Sequence, residues 1–174
     1  RGWEVLTQGY DNGAIILPSF VDFCQKLGAE AAQVAAAPPL KPPDKEVVVV
    51  TDPHFNTLLV HEVVGHPAEL DRALKYETSY AGRSWFLKNL RENQIGQRIA
   101  SPMVSAFSDP LLEGYGSFQY DHEGTPARRA YIIRDGVLEE FLNNRQTAAI
   151  MGVEPNGSAR ATEAHLVPLI RMTN

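Results

Sequence analysis

Thr51-Asp-Pro-His-Phe-Asn-Thr-Leu-Leu-Val-His-Glu-Val-Val-Gly-His-Pro-Ala-Glu-Leu-Asp71 is the stretch around which the rest of the chain is read. Its start is a helix start. Asp52 is a good N-cap, and Pro53 fits the first helical position, where no N–H is needed. Phe55, Leu58, Leu59 and Val63 follow at helical spacing and define an apolar face. Glu62 falls among them and is expected to be partly buried, where a carboxylate needs a partner. His61, Glu62 and His66 together offer two imidazoles and a carboxylate, groups that bind zinc and move protons.

The spacing departs from the His-Glu-x-x-His pattern, in which the histidines lie four apart on one helical face. Here they are separated by five positions, His61-Glu62-Val63-Val64-Gly65-His66. On a regular helix, five steps of roughly 100° would leave the two side chains about 140° apart. Convergence therefore demands an irregular backbone. One route is a π-bulge, which inserts the extra residue within one turn. The other is a helix that ends at Gly65 and lets His66 swing back, with Pro67 marking the break; otherwise the helix runs past Pro67 toward Lys75. Glu69 and Asp71 are placed to orient a ligand histidine or to form an acidic surface.

His61 to Asp71 resembles the signature of the TldD/PmbA family, and three later blocks resemble that family in the same order: Ser79-Tyr80-Ala81-Gly82-Arg83, Asp121-His122-Glu123-Gly124-Thr125-Pro126 and Arg171-Met172-Thr173-Asn174. The resemblance runs from His61 to Asn174. It implies a zinc-dependent peptidase of the TldD type, with His61 and His66 as zinc ligands and Glu62 as general base. It further implies a cysteine beyond the Arg-Met-Thr-Asn segment as third ligand. The chain stops at Asn174, and Cys24 lies on the wrong side of the motif to match. His122 stands where the family has a second aspartate. Members are described as modulators of DNA gyrase and as peptide-maturation factors, so the implied substrate is an unfolded peptide or a leader peptide. The implied partner is a PmbA-like subunit or a second copy of the chain.

Composition bounds these readings. A chain of 174 residues buries one sizeable core, and a 44% hydrophobic content is ordinary for a soluble globular protein. No apolar run reaches the length of a membrane span, and no signal-peptide pattern opens the chain. The net charge of −5 argues against direct nucleic-acid binding. A single cysteine excludes an internal disulfide and fits a cytoplasmic location. Arg1 in place of an initiator methionine, and an apolar run close to Asn174, read as a piece of a longer protein.

The expected fold class is α+β: a mixed or antiparallel sheet with the motif helix and a β-hairpin, preceded by the tail of an N-terminal domain. Residues 1–37 read as that tail. Trp3 to Tyr10 would end a strand before the turn Asp11-Asn12-Gly13, and Ser19 would cap a helix to Ala37. Residues 38–45 read as a proline-rich linker and 46–174 as the first part of a C-terminal metallopeptidase domain. Within it, Glu46 to Val50 reads as a buried strand, Trp85 to Leu90 as a short helix and Ile99 to Phe107 as a strand. Arg129 to Ile133 and Val137 to Leu142 form a hairpin across Arg134-Asp135-Gly136, and Arg145 to Met151 a helix stopped by Gly152. Ser158 to His165 reads as an extended loop.

Four further residues are candidates for substrate contact. Arg83 could bind a peptide carbonyl or carboxylate, or form a surface ion pair. His122 and Glu123 sit in a loop expected to face the site, where they touch substrate or cap the turn. His165 could meet substrate or metal, or belong to the surface. Two other classes stay open beside the peptidase: a metal-free peptide-binding or regulatory subunit of gyrase-modulator type, and an inactive fragment of the protease.

Overall fold

The computed structural model describes residues 20–77 and 82–174, and for Phe20 the backbone alone. The expected strand end over Trp3 to Tyr10, the turn Asp11-Asn12-Gly13, the Ser19 cap and Ser79 to Ala81 lie outside the described residues. The chain divides into two units, Arg1–Val50 and Thr51–Asn174.

In the first unit α1 spans Phe20–Ala36, close to the helix expected from the apolar spacing. Residues 38–50 follow without regular structure. The buried strand expected over Glu46 to Val50 does not form: Val48 and Val50 are each more than 90% exposed. A β-branched run becomes a strand only where a neighbour completes its ladder and covers its side chains, and the described residues of this unit supply neither.

The second unit is α+β, with two small antiparallel sheets. It opens with α2 (Pro53–Val60), started as the sequence predicts: Asp52 Oδ1 accepts from the Phe55 N–H at 2.7 Å, and Pro53 occupies the first turn. No residue of α2 is buried, and Phe55, Leu58 and Leu59 are exposed. Glu62 is exposed as well, contrary to expectation, because the apolar face beside it is uncovered.

Beyond Val60 the backbone changes pitch twice. His61–Gly65 is a π-helical turn, His66–Ala68 a 3-10 turn, and α3 covers Leu70–Ala73. The helix thus neither stops at Gly65 nor runs evenly to Lys75; the extended Glu69 divides it. The junction is anchored to the segment after the hairpin, where Leu70 N–H donates to the Leu142 carbonyl at 2.9 Å and Leu142 N–H to the Ala68 carbonyl at 2.8 Å. This single parallel bridge is the only mixed character near the antiparallel sheets among the described residues. Ala68, Leu70, Phe86, Ile132, Leu138 and Leu142 lie at the centre of the core.

The hairpin forms with a shorter second arm than expected, β2 (Ala130–Arg134) and β3 (Val137–Leu138) being joined by Asp135 and Gly136. Both turn residues have positive φ, +48° and +81°, as a two-residue turn matched to the strand twist requires. β1 (Ala106–Ser108) pairs with β2 from the outer edge. The longer strand expected from Ile99 is absent. Ile99 and Ala100 N–H groups both donate to the Gly136 carbonyl, so that segment wraps the hairpin turn, and Pro102 has no N–H to continue a ladder. Trp85 to Leu90 is not helical either. Asn89 Oδ1 accepts from Arg91 and Glu92 N–H, a local turn that competes with helix.

α4 (Arg145–Met151) has a reciprocal cap between Asn144 and Thr147 and ends on left-handed Gly152. Within the expected loop Ser158 to His165, Ala159–Arg160 forms β4, paired with β5 (Leu169–Ile170). Those two pairs bring the last residues of the chain back to α3.

A Cβ at Gly136 would lie 2.5 Å from the Ala100 carbonyl oxygen and 2.7 Å from that of Ser101. Strained φ and overpacking together predict that Gly136→Ala costs about 2–4 kcal/mol, read as a lowered urea midpoint at unchanged slope.

Candidate metal centre

The π-turn answers the spacing problem set by the sequence. His66 N–H bonds to the His61 carbonyl, five residues back, so the second histidine stacks over the first. The two rings meet edge to face with centroids 4.5 Å apart. His61, Glu62 and His66 each offer one ligating atom, and these atoms lie within 4.8 Å of one another. No other group of three or more potential ligands occurs among the described residues. Both imidazoles and the carboxylate are donors that zinc accepts, so the set fits such an ion, with Glu62 free to serve as ligand or base.

The Arg-Met-Thr-Asn segment holds this turn. Asp71 Oδ2 accepts from the Ile170 N–H at 3.1 Å and Oδ1 from the Arg72 N–H at 2.8 Å, tying β5 to α3. Arg171 is thereby brought to Glu69, with Nη1 3.5 Å from Oε2. Met172 packs on Gly65 so closely that a Cβ there would collide with its sulfur. Thr173 N–H donates to Ser108 Oγ at 3.1 Å, and Asn174 Nδ2 to the Leu112 carbonyl at 2.8 Å. The sequence flagged these four residues as a block without saying what they touch. Nothing local could: Glu69 and Arg171 are 102 positions apart.

Glu69 is fully buried. Its Oε2 lies 2.9 Å from His66 Nδ1, 3.0 Å from Arg72 Nε and 2.9 Å from Arg72 Nη2. Arg72 is also fully buried, and the sequence reading passed over it. Burial pushes the Asp71 carboxyl above its ordinary value and the nearby Glu69 carboxylate adds to that, while the two backbone donors and Arg171 oppose the shift without cancelling it.

Beside His61 opens a cleft of about 450 Å³. Val60, Val64, Phe107, Ile132 and Met172 give it apolar walls, and the outer strand β1 forms one side. His122, Glu123 and His165 are not among the residues of the metal group. Arg83, His122 and His165 are exposed, and His165 Nδ1 lies 3.5 Å from Glu163. The Asp121 to Pro126 loop proves to be a bracket. Asp121 Oδ1 accepts from the Glu123 and Thr125 N–H groups, and Oδ2 from Ala159. His122 Nδ1 accepts from Ala161 N–H, and Glu123 Oε2 accepts from Arg145 N–H at the start of α4.

The chain matches the PmbA/TldA metallopeptidase C-terminal domain over residues 44–174. It is 35% identical over 150 residues to a metalloprotease of Methanothermobacter thermautotrophicus, spanning 86% of this chain and 30% of that protein. Against a zinc metalloprotease TldD homolog of Saccharolobus solfataricus it is 31% identical over 131 residues, or 74% of this chain and 27% of the relative. The crystal structure of TldE from Thermococcus kodakarensis aligns with a TM-score of 0.47 at 24% identity, covering 66% of this chain and 24% of that one. The chain belongs to the PmbA/TldD metallopeptidase family, and its His61-Glu62-His66 group is consistent with that family's His-Glu-x-x-x-His motif. It spans less than a third of the length of the curated relatives it matches.

Two outcomes check the packing beneath the site. Gly65→Ala should cost about 1–3 kcal/mol through the collision with Met172, and Met172→Ala in the same chain should recover part of it, a non-additivity read in a urea double-mutant cycle. Asp71 carries the opposite pH sign to an ion-paired carboxylate. With a folded pKa raised above 3.8, its stabilising contribution is full below 3.8 and is lost as pH rises through the folded value. Wild type should therefore lose stability relative to Asp71→Asn as pH rises above 3.8, measured by denaturant unfolding at each pH.

Proposed function

We propose that this chain carries the metal-binding segment of a zinc-dependent peptidase that hydrolyses unfolded or leader peptides. The observation that carries the reading is the π-turn, which gathers ligating atoms of His61, Glu62 and His66 within 4.8 Å of one another, with His61 also lining an apolar cleft. His61 and His66 would hold the ion, and a cysteine from a later part of a longer chain would complete the set implied by the family resemblance. A zinc ion there supplies Lewis acidity, making water nucleophilic at neutral pH and polarising the scissile carbonyl. The exposed carboxylate of Glu62 takes up a proton from the attacking water and delivers it to the leaving amine. An extended peptide lies along β1, where main-chain contacts give affinity with little demand on sequence. The apolar walls beside His61 receive a hydrophobic side chain.

On this reading residues 1–37 end an N-terminal domain, 38–45 are the linker and 46–174 begin the metallopeptidase domain. The partners are the peptide and either a PmbA-like subunit or a second copy of the chain. Glu62→Gln in the full-length protein should lower peptide cleavage by about 10²–10⁴-fold while leaving zinc content unchanged. Undiminished cleavage would remove Glu62 from the chemistry.

A second reading has one observation in its favour. If Glu62 acts as base, only two ligands converge among the described residues, and a catalytic zinc site ordinarily takes three. The chain would then be a metal-free peptide-binding or regulatory subunit of gyrase-modulator type. Zinc stoichiometry of the full-length protein separates the two: near one per chain favours the peptidase, and none, with no effect of a chelator, favours the subunit.

A further inference from the structure

The sequence places Glu69 three residues after His66, and the extended backbone at Glu69 turns its side chain back under the imidazole. Its Oε2 receives His66 Nδ1 on one side and the guanidinium of Arg72 on the other, with Arg171 a little farther off. All four contacts fall on that one oxygen. Oε1, equally buried, has no hydrogen-bond partner among the described residues. A carboxylate in such a place is costly unless paired, and two guanidiniums offset that cost. An ion-paired carboxylate accepts and cannot donate, so the ring nitrogen facing it must carry the hydrogen.

We propose that Glu69, clamped by Arg72 and Arg171, is the positioning residue for His66: it holds the hydrogen on Nδ1 and leaves Nε2 as the lone-pair nitrogen facing the metal group. This rests on the reading of His61 and His66 as the residues that hold zinc. The pairing does three things at once. It selects the tautomer, fixes the ring plane and, through Arg171, makes His66 depend on the last four residues of the chain. His61 is exposed and no such carboxylate is bonded to it among the described residues, so the two histidines are held unequally. His66 is the preset member of the pair.

The direct test needs no variant. Long-range nitrogen–proton correlation spectra of the metal-free 174-residue chain, with His66 signals identified by their loss in His66→Asn, should show neutral His66 protonated at Nδ1. The alternative tautomer in the wild-type chain would overturn the proposal. Glu69→Ala alone strands a buried cation, so the variant to use is Glu69→Ala with Arg72→Leu, checked for folding by its amide spectrum. In it His66 should shift toward the Nε2-protonated form, while Glu69→Gln, whose amide oxygen can still accept from the ring and both guanidiniums, should keep the wild-type tautomer. A folded double variant that retains the Nδ1 proton would also overturn the proposal.

Zinc affinity of the full-length protein, with and without the same substitutions, measured by competition with a chromophoric chelator, supplies the second readout. Loss of the carboxylate should weaken it by about 10- to 100-fold. An unchanged affinity in the folded double variant counts against the positioning role. If the full-length protein binds no zinc while the 174-residue chain shows the Nδ1 proton, the metal reading fails and the hold of Glu69 on His66 stands. If zinc binds and the tautomer is the other one, the metal reading survives and Glu69 loses its role.

Discussion

A single main-chain hydrogen bond, from His66 N–H to the His61 carbonyl, determines whether this segment has a site at all. With ordinary helical pitch the two imidazoles would point apart. With one residue more per turn they share a space small enough for one ion. The cost of that irregular turn is met by packing next to it. Gly65 has no side chain, which lets Met172 sit against the backbone at the bulge, and Pro67 and Ala68 are buried immediately after it. The irregular turn is therefore held by residues from both ends of the second unit.

Two parts of the cluster beneath the turn have distinct tasks. Asp71 joins α3 to β5 through backbone N–H groups, a purely architectural use of a carboxylate. Glu69, two residues earlier, faces the imidazole and two guanidiniums. The pair explains why the end of the chain matters to a motif about a hundred positions before it. Asp71 secures the strand that delivers Arg171, and Arg171 and Met172 then reach Glu69 and Gly65.

Exposed apolar surface forms the other theme. α2 presents Phe55, Leu58 and Leu59 to solvent, and Val47 to Val50 lie open in the first unit. These residues have the composition of a covered helix face and a paired strand, and the described residues provide neither cover nor pair. That is why two expectations drawn from hydrophobic pattern, a buried strand at Glu46 and a half-buried Glu62, failed here, while four drawn from caps and turns among the described residues held. Asp52, Asn144, Gly152 and Asp135-Gly136 act through neighbours within a few residues, and their work is complete in any piece of chain that contains them.

The family and the identity of the motif residues were legible in the amino-acid order, because ordered blocks and capping chemistry are local properties. So was the requirement for a distorted helix, since five-residue spacing cannot place two side chains on one face of a regular one. Which distortion occurs was decided by tertiary structure: both a π-turn and a break at Gly65 satisfy the local chemistry, and the contact with Met172 and the bridge to Leu142 go with the former. The contacts of Arg72 and Arg171, and the bracket that Asp121 to Pro126 forms, likewise arose only from folding. They depend on which distant strands pair, and pairing between segments tens of residues apart leaves no mark in either segment alone.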